Sequence, residues 1–115
     1  MKRVLLRTMA RDLSGYADLD EVCGTMSALA EVAIKDGQLQ QAEEWLEEAA
    51  AFAEQCRDRR LLASLKRTRA ALWHRQGQLK RARQLISDAQ REFNQLGMKQ
   101  EAAETPDCVA ALADR

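Results

Sequence analysis

Few residues in this sequence could do covalent or metal chemistry, and they lie far apart. There is one histidine, His74, and there are three cysteines, Cys23, Cys56 and Cys108. A nucleophile needs a base within hydrogen-bond reach and a third group to orient that base. No Cys/His or Ser/His spacing here implies such a convergence. Structural thiolate metal sites draw ligands from closely spaced pairs, and no two cysteines are near enough in sequence to form one. The glycines at 15, 24, 37, 77 and 97 never cluster, so no phosphate-cradling loop is present. Glu43, Glu44, Glu47 and Glu48 form two like-charge i,i+4 pairs, the pattern of a solvated helix face. His74, beside Trp73, reads as a surface histidine. The sequence predicts a protein that is not an enzyme, with no cofactor and no metal. An odd cysteine number predicts reduced thiols, with Cys23 and Cys56 able to meet at one end of a helical hairpin.

The elements that carry these residues are helices. Among 115 residues there are 20 alanines and 15 leucines, but only six Val plus Ile and one proline. Ala and Leu are strong helix formers, and β-branched residues are the usual strand material. With only five aromatic residues, the helices must pack closely on small side chains. The length fits a single domain, 1–115. Arg7 and Arg11 break the apolar run near the N-terminus, so no signal peptide is read there, and no stretch is long enough to span a membrane. These features predict a cytoplasmic protein that does not engage membranes.

Residues 18–57 written above 58–97 align without gaps. Identities fall at Asp18/Asp58, Ala30/Ala70, Gly37/Gly77, Gln38/Gln78, Leu39/Leu79, Ala42/Ala82, Ala49/Ala89 and Gln55/Gln95. Asp18, with Glu21 three residues on, fits a capping box, and Asp58 can cap the second unit. Leu19, Val22, Met26, Leu29 and Ala33 lie on one face of a first helix. Gly37 and Gly77 stop the first helices, because glycine enters the left-handed conformation without a Cβ clash. The second helices keep apolar faces at Leu39, Ala42, Leu46, Ala49, Ala53 and at Leu79, Ala82, Ile86, Ala89, Phe93. Turns of two to four residues make the two helices antiparallel neighbours.

This pattern resembles the tetratricopeptide repeat family. The matching residues are the turn glycines Gly37 and Gly77, Leu39 and Leu79, Ala42 and Ala82, Leu46 and Ile86, Ala49 and Ala89, and Ala30 and Ala70 inside the first helices. Leu29 and Trp73 occupy family core positions. The period is 40 rather than 34, the closing proline is missing, and Lys66 and Arg69 stand where the family has apolar residues. The resemblance implies an all-α fold of antiparallel hairpins stacked as a short right-handed solenoid. Its parts are an N-terminal helix in 1–17, repeats at 18–57 and 58–97, and a capping segment at 98–115. Longer repeats of this type look like those of bacterial signal-transduction ATPases and the transcription activators built on them. The family's groove, lined by first helices, carries over to Ser27, Ala28, Glu31, Ile34 and Lys35 in the first repeat. In the second it carries over to Ser64, Arg67, Thr68, Ala71, His74 and Arg75. The implied function is binding of a protein or peptide in that groove, and Arg67, His74 and Arg75 suit one with acidic character.

The flanks extend the array. Residues 2–14 read as an amphipathic helix, like the second helix of a preceding repeat. Residues 98–115 begin like a further first helix, and Thr105-Pro106 predicts a break there, with Thr105 as cap and Pro106 as first helical residue. Five or six helices are expected.

Zero net charge conceals a division. Residues 1–17 carry +3, 18–57 carry −8, 58–97 carry +7 and 98–115 carry −2. Adjacent slabs of opposite sign predict that Arg69 bridges to Glu44 or Glu48. They also make a homodimer a working expectation. Nucleic-acid contact through the basic repeat is disfavoured, because the acidic repeat repels phosphate and no aromatics interleave with the cations.

Overall fold

The computed structural model describes residues 19–113. They form five helices: α1 Leu19–Lys35, α2 Leu39–Cys56, α3 Arg59–Arg75, α4 Leu79–Gln95 and α5 Lys99–Ala113. The expected helix at 2–14 and the Asp18 capping box lie outside the described residues.

Successive helices begin 20 residues apart, so the 40-residue repeat is two nearly equal helix-plus-turn units. The turns share one hydrogen-bond geometry. Gln38, Asp58, Gln78 and Met98 donate their N–H to the carbonyls of Ala33, Ala53, Trp73 and Phe93, five residues back. This is the longer bond of a Schellman closure, and it needs a left-handed residue just before it. Gly37, Gly77 and Gly97 fill that place with φ of 80°, 81° and 78°. In the turn between α2 and α3 the place falls to Arg57, with φ 55°. Asp58 caps α3 as its sequence suggests, its Oδ1 accepting from the Leu61 N–H at 3.1 Å.

Short turns make neighbours antiparallel, so α1, α3 and α5 run parallel to one another. Each helix packs on the next, α3 lies against both α1 and α5, and α5 also reaches α1. Buried alanines permit the close approach. Ala30, Ala42, Ala49, Ala53, Ala70, Ala71 and Ala89 are fully inaccessible. The larger core joins Met26 and Ile34 of α1, Trp45 and Leu46 of α2, Leu65 and Leu72 of α3, and Val109 of α5. A smaller cluster of Ala63, Ala89, Phe93 and Ala102 seals α3, α4 and α5.

The expected break at Pro106 does not occur. α5 runs unbroken from Lys99 to Ala113 with Pro106 inside it. Proline deprives the Ala102 carbonyl of its intrahelical donor. Gln90 of α4 replaces that donor, its Nε2 lying 3.0 Å from the Ala102 oxygen. Thr105 is not a cap: it is fully buried, and its hydroxyl donates to the Glu101 carbonyl at 2.7 Å. Packing against α4 and a side-chain donor from that helix override the local rule.

Candidate functional site

The residues expected to line a groove divide by burial. On α1, Lys35 and Ala28 are exposed and Ser27 and Glu31 half-buried, while Ile34 is wholly interior. On α3, His74 is exposed and Ser64, Arg67 and Arg75 are half-buried, while Thr68 and Ala71 are interior. Ile34 and Ala71 belong to the same core as Val109, where α1, α3 and α5 meet. Side chains therefore fill the middle of this face and leave its margins accessible.

Three of the expected binding residues have structural partners. Arg75 donates from Nη1 to the Ile34 carbonyl at 2.7 Å. That carbonyl lies in the last turn of α1, where the helix dipole is negative, so the guanidinium ties the ends of α1 and α3 together. Arg67 stands over the Phe93 ring, its Cζ 5.5 Å from the centroid. Thr68 turns its hydroxyl to the Ser64 carbonyl at 3.2 Å.

The expected bridge from Arg69 to Glu44 or Glu48 is not formed, and Arg69 has no ion pair among the described residues. The cation that pairs from this helix is Lys66, 2.6 Å from Glu92 Oε2 of α4. Antiparallel packing sets the middle of α3 opposite the later turns of α4. No disulfide links the cysteines, and Cys23 is buried with its Sγ 3.6 Å from the Ala49 carbonyl. Among the described residues, no three potential metal ligands cluster.

Not legible in the repeat pattern is a cleft of about 290 Å³ between α3 and α4, lined by Trp73, Arg81, Gln84, Leu85 and Asp88. Arg81 lies over the Trp73 ring, its Cζ 4.2 Å from the centroid. A second cleft of about 250 Å³ adjoins it through Asp88 and is lined also by Lys66, Arg91, Glu92 and Gln95. The signal was present in sequence: Lys66 and Arg69 interrupt an otherwise apolar face, but what that face meets depends on how α3 packs on α4.

No family model matches the chain, and no solved structure matches it. Two curated proteins share a short stretch with it. One is a bifunctional glutamine synthetase adenylyltransferase/adenylyl-removing enzyme of Nitrosomonas eutropha, 65% identical over 34 residues. The other is the protein of the same name from Nitrosomonas europaea, 62% identical over 34 residues. The stretch is 30% of this chain, and it spans only 4% of the length of either relative.

Proposed function

We propose that the chain is a non-catalytic protein-interaction module, a short tetratricopeptide-like solenoid binding a protein or peptide in a bacterial regulatory or signal-transduction system of the cytoplasm. One observation carries this reading. Helices recur in a fixed 20-residue rhythm as antiparallel hairpins, with the parallel helices α1, α3 and α5 in contact and α2 and α4 packed behind them. Stacked units of this kind present extended surfaces that suit recognition. The first-helix surface offers Ser27, Glu31 and Lys35 on α1 and Ser64, Arg67 and His74 on α3. No described helix is long and apolar enough to cross a membrane, in keeping with a partner met in solution. Adenylyl transfer and removal belong to the names of proteins of which the shared stretch is a twenty-fifth, and they are not carried over to this chain.

A second reading, self-association as a homodimer, is favoured by the charge division. The α1–α2 hairpin is acidic and the α3–α4 hairpin basic, so two copies have complementary faces. Nucleic-acid contact through the basic repeat is a third outcome of the same test.

Photo-cross-linking residues placed at the exposed positions Lys35 and His74 separate these readings in living cells. A protein-interaction module gives a discrete, nuclease-resistant adduct with another protein. Adducts at twice the chain's own mass support self-association, and nuclease-sensitive adducts support nucleic acid. No adduct from either position removes the proposed function.

A further inference from the structure

The two hairpins use equivalent positions differently. In the first hairpin, Met26, Leu29 and Ala33 share one face of α1, with Met26 and Ala33 buried in the core. Forty residues on, the same positions of α3 hold Lys66, Arg69 and Trp73, all only half-buried. Stability alone favours the apolar set, and breaches of a local rule concentrate at functional sites. The groove beside these residues is the pair of clefts between α3 and α4.

Its charges are partly neutralised in place. Lys66 pairs with Glu92, and Asp88 pairs with Arg91. Of the guanidiniums beside this groove, Arg69 and Arg81 make no ion pair among the described residues. Arg69 lies on the α3 face between Lys66 and Trp73. Arg81 covers the Trp73 ring and, among the described residues, hydrogen-bonds to the neutral Gln78 side chain at 2.7 Å. Beside Arg81, and one helical turn along α3 from Arg69, lies an apolar surface of Trp73 and Leu85, in a cleft with room for one aliphatic or aromatic side chain.

Resting on the protein-interaction reading above, we propose that this groove docks an acidic protein segment. An apolar side chain of the segment enters the Trp73–Leu85 cleft, and its carboxylates pair with Arg69 and Arg81. The arginines select the sign of the partner, and the cleft supplies desolvated area around the pairs. Single-stranded nucleic acid fits less well. Arg81 already covers one face of the indole on which a base would stack.

The test is titration of the isotope-labelled full chain, followed by amide and indole chemical shifts. The probes are a synthetic Glu-Leu-Glu-Glu-Leu-Glu peptide, its Lys-for-Glu counterpart, an all-glutamate hexapeptide and an oligothymidylate. The leucine-containing acidic peptide is expected to shift Arg69, Trp73, Arg81, Gln84 and Leu85. The all-glutamate peptide should bind more weakly, and the lysine peptide should not bind. Arg69→Glu with Arg81→Glu should weaken binding at least ~10-fold while leaving the helical circular dichroism unchanged. Shifts confined to Ser27, Glu31, Lys35 and His74 would overturn the groove while leaving the interaction module standing. No shift at millimolar peptide, or binding by the oligothymidylate alone, overturns it too. So does a dimer whose interface shifts these same residues.

Discussion

Pro106 shows how one residue's local rule yields to a neighbour in space. An internal proline costs a helix about 3 kcal/mol through its lost hydrogen bond and ring clash. Gln90 removes part of that penalty by donating to the stranded Ala102 carbonyl. Gln90→Ala should therefore destabilise the protein by about 1–2 kcal/mol in urea denaturation. In a Pro106→Ala background the backbone N–H returns, and the same Gln90→Ala change should cost less by about 1 kcal/mol. Equal costs in the two backgrounds would show that Gln90 acts elsewhere. The sequence pointed to a break because proline and threonine are local signals. The donor that prevents it lies on another helix, 12 residues from its acceptor. Arg75 is similar: its side chain was assigned to partner binding, yet it is tied to the Ile34 carbonyl across two helices. Arg75→Met should lower stability by about 1–2 kcal/mol in the same denaturation experiment.

At the scale of the element, the turns were the most legible part of the chain. Gly37 and Gly77 announced left-handed closures because the conformation they adopt is costly for any residue with a Cβ. Arg57 gave no such signal, although it occupies the equivalent place, φ 55°, in the turn after α2. Two substitutions measure this directly. Gly77→Ala meets no neighbouring atom, so its penalty of about 1–2 kcal/mol is one of backbone conformation alone. Arg57→Gly should instead stabilise by about 0.5–1 kcal/mol, read as a higher denaturation midpoint. The alanine positions of the second helices were equally readable, since Ala42, Ala49, Ala82 and Ala89 are all buried. Leu85 and Ile86 are only half-buried, although Trp45 and Leu46, forty residues earlier, are buried. The periodic pattern showed an apolar face on α4 but not how much of it α3 would cover.

For the whole molecule, the sequence showed hairpins and a charge division but not how the hairpins close on one another. Val109 of α5 enters the core built by α1, α2 and α3, so the ends of the described array are in contact. A linear array with only nearest-neighbour contacts can unfold from its ends. Here tryptophan fluorescence and far-ultraviolet circular dichroism should give coincident urea transitions; separated transitions would mean that the α1–α5 contact does not couple the hairpins. The candidate surface was legible only in part. Lys66 and Arg69 stood out as charges on an apolar face, but their ion-pair status depends on which helix lies opposite. Glu92 takes Lys66, and Arg69 is left over for another partner. The most direct measurement of the central claim is affinity capture from the source cell. The full chain and its Arg69→Glu/Arg81→Glu variant are compared at matched expression and matched circular dichroism. A protein should be retained in near-stoichiometric amount by the full chain through an acidic segment, and lost from the variant. Equal retention by both, or no protein retained by either, would contradict that claim.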